Sequence, residues 1–198
     1  YSVEARVRFS TTSAWGGGIG GCLNPATGER YGLWIYPGGS PGSSNVLKLL
    51  KFQSWSSFSY NGAAAAPMQA ISVGSVGTNW HTLQLAFRGS QIVAYFDTNE
   101  VMSVTDVESQ PYSGGGISLD AWTDTAPYTM LVDDVVVRPL PPAIVLNASA
   151  LLAEGCLPTN SVIDPGETVV LSFALQNTSL IPTENVVATL LPTNGVVA

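Results

Sequence analysis

The sequence predicts an all-β protein of antiparallel strands, and three observations carry that prediction. The stretch from Asn79 to Asp106, NWHTLQLAFRGSQIVAYFDTNEVMSVTD, alternates with period two and is punctuated by Gly, Asp and Asn, the mark of a β-meander with one buried face. The 198 residues include 20 Gly and 13 Pro, a turn-rich composition. No apolar stripe recurs at the 3.6-residue spacing of an amphipathic helix.

The elements follow in order. Tyr1 opens directly into a strand, with Tyr1, Val3, Ala5, Val7 and Phe9 on one face and Glu4, Arg6 and Arg8 on the other. The run Gly16 to Gly21 is no nucleotide loop, because neither a helix start nor a phosphate-binding lysine follows it. It reads as a strand whose missing side chains let a neighbour pack closely. Asn24-Pro25-Ala26-Thr27-Gly28 is a tight turn into the returning strand Tyr31 to Tyr36, and Pro37 to Asn45 is a Gly, Ser and Pro loop. Val46 to Phe52 is a strand in which Lys48 and Lys51 are expected to bury their stems and keep solvated heads. Ser54 to Ala66 reads as a loop or edge. In the meander, His81, Leu83, Leu85 and Phe87 share one face, Arg88 to Gln91 turns, Ile92 to Phe96 returns, and Val101 to Thr105 is a third strand. Gly114 to Trp122 and Tyr128 to Arg138 are the last strands of this unit.

Composition excludes several classes of partner. Seven Lys and Arg against fourteen Asp and Glu leave a net charge of −7, and the scattered cations make no stripe for a phosphate backbone. Hydrophobic residues reach 45%, yet no apolar run approaches the roughly 18 residues of a spanning helix. The apolar content therefore belongs to sheet cores.

The order GGGIG, LNPATGERYGLWIYP, LKLLKF, NWHTLQLAFRGSQIVAYFD, GGISLDAW and LVDDVVV resembles a concanavalin A-like lectin/glucanase domain of the laminin-G-like kind, as found in large secreted bacterial proteins. The resemblance spans about residues 1–138, and its most specific pieces are the meander and the closing VDDVVV strand. It implies a jelly-roll sandwich of two antiparallel sheets, with glycans often bound on a sheet face or edge loops. Such domains usually have a strand before YSVEARVRF. Together with the closing turn Thr193 to Ala198, this leads to the expectation of a segment from a longer chain, with a processed chain as the alternative.

Pro139-Leu140-Pro141-Pro142 reads as a linker, since proline donates nothing to a ladder and stiffens the chain. Beyond it, Ala143 to Leu152, Thr168 to Asn177 and Asn185 to Leu191 read as strands. NSVIDPGETVVLSFALQNTS resembles the front of immunoglobulin-like repeats in bacterial surface proteins, which makes residues 143–198 a partial immunoglobulin-like sandwich. A half-sandwich exposes a core face and an edge, so it needs further strands from its own domain or a partner. Cys22 and Cys156 fall one in each region. They are candidates for an interdomain disulfide, with two unpaired thiols or pairing outside this segment as the alternatives. Asn147-Ala148-Ser149 and Asn177-Thr178-Ser179 match the glycosylation sequon.

Catalysis finds no support in the residues. The ExDxxE-like strand motif of related glucanases is absent. Asp133 and Asp134 are strand neighbours that should point to opposite faces, and Asp120 and Asp124 straddle Trp122 without a partner base. His81 lies in the core phase of its strand with no nucleophile elbow and reads as structural. Trp15, Trp34, Trp55, Trp80 and Trp122, with Tyr36 and Tyr60, are the rings available to stack on sugars. Trp34 and Trp80, inside regular strands, read first as core filling. Trp55, Tyr60 and Trp122, with Asp120, are the candidate glycan-binding residues. No cofactor is expected; calcium stays open on Asp97, Asp106, Asp120 and Asp124, whose spacing is not that of an EF-hand.

The leading expectation is a non-catalytic structural or adhesive module of a long extracellular or cell-surface protein, assembling in series or into a fibre. Its partners would be other copies or other domains of the same protein. The alternative is a lectin-like module that binds carbohydrate through its loop aromatics.

Overall fold

Alternation along the chain becomes alternation across two sheets. The computed structural model describes residues 1–124, 127–140, 144–155, 157–177 and 186–187. The chain forms two compact units, Tyr1–Leu140 and Pro141–Ala198. The first contains β1 (Ser2–Phe9), β2 (Gly17–Leu23), β3 (Arg30–Tyr36), β4 (Val46–Phe52), β5 (Ser59–Tyr60) and β6 (Ala63–Ala64). It continues through β7 (Gln69–Ser72), β8 (His81–Arg88), β9 (Gln91–Phe96), β10 (Asn99–Thr105), β11 (Gly116–Ala121) and β12 (Met130–Arg138). No helix occurs among the described residues, and so none is long and apolar enough to cross a membrane.

One five-stranded sheet runs β10-β9-β8-β1-β12 and the other β11-β2-β3-β4-β7. Every pairing among them is antiparallel. This is a jelly-roll sandwich, and its core is filled by the inward residues of both sheets. From β1 come Val3, Ala5, Val7 and Phe9, and from β8 Leu83, Leu85 and Phe87; opposite them stand Tyr31, Leu33 and Ile35 of β3 and Leu47 and Leu49 of β4. Burying such side chains contributes about 1.5–3 kcal/mol each, which is why the two-residue period holds the register so firmly.

Several elements differ from the sequence reading. The expected loop Ser54 to Ala66 holds the small hairpin β5–β6, and β7 adds an edge strand that was not anticipated. Asp133 and Asp134 do not follow the simple strand alternation. The β1–β12 register shifts between Glu4 and Arg6, Asp134 takes a φ of 51°, and both carboxylates are exposed. An extra residue at a bulge breaks the simple alternation, and Arg6 Nη1 reaches Asp134 Oδ2 at 3.3 Å.

In the second unit, β13 (Ile144–Glu154) and β14 (Val169–Asn177) pair as a two-stranded antiparallel sheet. Of the strand expected over Asn185 to Leu191, only Val186 and Val187 are described. Cys156 lies outside the described residues, while Cys22 is a buried free thiol beside the Tyr1 hydroxyl.

Candidate functional site

Because β3 and β4 are covered on one face by the core, their alternate residues form a second surface on the other. Trp34, Tyr36, Leu50 and Phe52 cluster there, with Phe58 packed against them. Around this cluster lies a cleft of about 480 Å³, bordered by Trp15, Trp55 and Trp122. Trp55 follows β4 and is 54% exposed, and Trp122 follows β11 and is 46% exposed, so their rings are open to a ligand while Trp34 is floor. Backbone anchors hold the walls. Trp122 N–H donates to the Gly16 carbonyl at 3.2 Å, and the Tyr128 hydroxyl reaches the carbonyls of Trp122 and Gly16 at 2.9 and 2.6 Å. Ser40 Oγ holds the Trp15 carbonyl at 2.8 Å.

A buried ion pair lies in the cleft floor. Arg30 is 3% exposed and Asp120 8%. Arg30 Nε donates to Asp120 Oδ2 at 3.0 Å, and Nη1 donates to the Gly28 carbonyl at 2.7 Å. The same Oδ2 accepts from Trp34 Nε1 at 3.3 Å and Ser118 Oγ at 3.2 Å. All three side-chain bonds to the Asp120 carboxylate among the described residues therefore end on one oxygen. The Arg30 guanidinium carbon lies 3.9 Å from the Phe52 ring centroid, which adds a cation–π attraction strengthened by desolvation.

Two glycines make this arrangement fit. A Cβ on Gly20 would stand 2.3 Å from Ser118 Oγ and 3.3 Å from Asp120 Oδ2, so the bare strand lets these β11 side chains lie across β2 towards Arg30. Gly28 has a φ of +84°, and a Cβ there would meet the Trp55 backbone nitrogen at 2.4 Å. That turn supplies the carbonyl for Arg30 and seats the Trp55 wall at once.

Lys48, on the same face, pairs in register with Trp34. Its Nζ lies 4.4 Å from the Tyr36 ring centroid and donates to the Gly42 carbonyl at 3.3 Å. Burial pushes this ammonium below its ordinary value.

Of the sequence candidates, Trp55, Trp122 and Asp120 are brought to one cleft. Tyr60 is not among its lining residues. It is buried elsewhere, and its hydroxyl donates to the Thr105 carbonyl at 3.4 Å. Trp80 is also apart, lying under the guanidinium groups of Arg6 and Arg8. Arg30 and Lys48 were not singled out as site residues. The signal for Arg30 was its phase, two residues before Gly32 and four before Trp34, which puts it on the Trp34 face.

The opposite face of the same sheet carries a second buried cation. Lys51 Nζ is 2.7 Å from Asp106 Oδ2 and 2.8 Å from Glu108 Oε2. The expectation of a solvated head is wrong for this residue, whose phase turns it inward, where it is 3% exposed. Burial alone would push the ammonium down, but the bonds and charges of Asp106 and Glu108 outweigh it and hold it above its ordinary value. The Tyr31 hydroxyl donates to Asp106 Oδ2 at 2.5 Å and accepts from Tyr112 N–H at 2.9 Å. Burial and this bond push the Tyr31 hydroxyl strongly up.

His81 Nδ1 lies 2.8 Å from Asp97 Oδ2, and its ring stacks on Phe96 at 5.0 Å. Asp97 Oδ1 accepts from Thr82 N–H at 2.9 Å, so the histidine belongs to the fixing of a strand end. Three of the four aspartates considered for calcium are engaged at separate places. Asp97 serves His81, Asp106 serves Lys51 and Asp120 serves Arg30. No group of three or more His, Cys, Asp or Glu suited to a metal occurs among the described residues.

No family model and no curated protein matches the chain. Solved structures do. A carbohydrate binding module, CBM66, from Bacillus subtilis matches with a TM-score of 0.51 at 16% identity, over 68% of this chain and 71% of that one. Sheep galectin-11, in complex with glycerol, matches at 0.44 and 10% identity, over 68% and 86%. A beta-glucanase from Bacillus licheniformis matches at 0.44 and 13% identity, over 68% and 64%. At these identities the likeness concerns the fold alone, and the first match carries it. Nothing in the comparisons supports the immunoglobulin-like reading of residues 143–198. The first unit has a jelly-roll fold, like that of the carbohydrate binding module.

Proposed function

We propose that the first unit is a carbohydrate-binding module of an extracellular or surface protein, with the cleft between Trp55 and Trp122 as its sugar site. The observation that carries this reading is the pairing of two half-exposed indole rings with a buried Arg30–Asp120 pair in one cleft. Indole faces attract the apolar CH patches of a pyranose or furanose ring. A carboxylate whose three bonds all fall on Oδ2 keeps Oδ1 for a sugar hydroxyl, and hydrogen bonds to a charged group are stronger than neutral ones. Binding rather than hydrolysis is the supported chemistry. Glycoside hydrolysis needs two carboxyl groups flanking the bond, and Asp120 is the single carboxylate among the described residues of the cleft.

A glycan array probed with the 198-residue chain tests the reading. Specific hits that disappear in the Trp55→Ala/Trp122→Ala double variant are expected, and an array without hits would remove it. A structural role is favoured by one separate observation. The β13–β14 hairpin leaves Leu146, Phe173 and Leu175 about half exposed, an apolar surface suited to association. Concentration-dependent self-association in analytical ultracentrifugation, abolished by Phe173→Ser, is the expected outcome for that role.

A further inference from the structure

We infer that the cleft is specific for an acidic sugar, one bearing a carboxylate or sulfate group, and that Lys48 is the residue that recognises the anion. The inference rests on the carbohydrate-binding reading and narrows its substrate class.

Seven Lys and Arg side chains are the cations of the chain. Four of them, Arg6, Arg30, Lys51 and Arg138, lie within 4.0 Å of a carboxylate. Arg8, Lys48 and Arg88 do not, and all three are half-buried; of these Lys48 alone lines the cleft, and its ammonium has only the Gly42 carbonyl and the Tyr36 ring as partners among the described residues. A desolvated ammonium without a counter-charge is an unfavourable arrangement, and burial already pushes its proton affinity down.

Nor does Asp120 serve it. Asp120 is on β11 and Lys48 on β4, with β2 and β3 between them, so their backbones are about 14 Å apart at the usual strand spacing. Asp120 is moreover held by Arg30 and the Trp34 indole. The cleft thus has a neutralised, hydroxyl-accepting end at Asp120 and a cationic end at Lys48, with rings between. In a chain of net charge −7 a surplus positive charge on a ligand-facing wall selects for anions. A glycan of two or three units spans the cleft, with hydroxyls at Asp120 and the acidic group at Lys48.

The test is calorimetric titration of the full chain with three probes of equal length: an oligogalacturonate, a sulfated oligogalactan and a neutral oligogalactan. One of the two acidic probes should bind about tenfold or more tightly than the neutral one, the scale of one charge-assisted hydrogen bond. The identity of that probe assigns carboxylate or sulfate. Lys48→Met should abolish the preference, and Lys48→Arg, which keeps the charge, should retain it. Equal binding of acidic and neutral probes, or a preference that survives Lys48→Met, overturns the inference and leaves the carbohydrate reading standing. Failure of all three probes overturns the inference, and an array that is also empty overturns the carbohydrate reading with it.

Discussion

Two buried cations sit on neighbouring strands of one sheet and do opposite work. Arg30 opens β3 and faces outward; Lys51 lies near the end of β4, in register with Tyr31, and faces inward. Both are 3% exposed and both meet a carboxylate at 3.0 Å or less. Around Lys51 the ammonium is saturated by the segment after β10, with bonds to buried Asp106, half-buried Glu108 and the Gln110 carbonyl, even though a cleft opens beside it. Around Arg30 the partners border an open cleft, and Asp120 keeps one oxygen outside the pair. A buried pair that is saturated by its own chain is a fastener, whereas one left partly unsaturated at a cleft is a receptor.

The largest effect should come from the fastener. Lys51→Met leaves Asp106 buried without its counter-charge and should cost about 3–5 kcal/mol in urea unfolding, with sugar binding unchanged in the folded fraction. Equal losses of stability and binding would break the contrast.

Alkaline titration sharpens it. Burial lifts the Tyr36 hydroxyl from 10.0 to about 12, Tyr31 is lifted further by burial and Asp106, and Lys51 is held above 10.5 by its two carboxylates. Each folded-state value lies above its unfolded one. Stability from these groups is therefore complete below about pH 10 and is lost as pH rises through the folded values. Ionisation of Tyr31 and Tyr36 should appear together with loss of the fold, and their ionisation within an intact fold, read on Phe variants of each, would contradict it.

Asp120→Asn comes next. The amide keeps the shape but loses the charge that binds Arg30 and a sugar hydroxyl, so affinity should fall by about 1.5–3 kcal/mol in calorimetry. Arg30 keeps its Gly28 carbonyl and Phe52 ring, so the unfolding midpoint should move less than for Lys51→Met.

The smallest change belongs to the walls. Trp55→Ala or Trp122→Ala should each weaken binding by about 0.5–1.5 kcal/mol with little change in unfolding, because both rings are half exposed. A large stability loss from either would assign it to the core.

Much of this contrast was readable before folding and part of it was not. Period-two alternation, with the glycine run of β2, located nine of the first unit's twelve strands, since a buried face repeats every second residue whatever lies opposite. It missed the two-residue strands β5 and β6 and the edge strand β7, whose four residues alternate between half-buried and exposed. Trp55, Trp122 and Asp120 were legible as ring-bearing or acidic residues at loop edges. Tyr60 was misread because a short hairpin, β5–β6, turned an apparent loop aromatic inward.

The sequence by itself determined that the chain is built of antiparallel strands, which residues of each strand share a face, and that glycines in β2 would admit a close neighbour. Only the tertiary structure decided which face meets the core and which meets solvent, and with that the fates of Lys51 and Arg30. The pairing of Arg30 with Asp120 joins residues ninety positions apart through a sheet order, β11-β2-β3, that no local pattern encodes. Local sequence specifies phase, because phase follows from the geometry of a single strand. Strand order is settled by the collective burial of two sheets, and the cleft exists only where that order places β11 beside the glycines of β2.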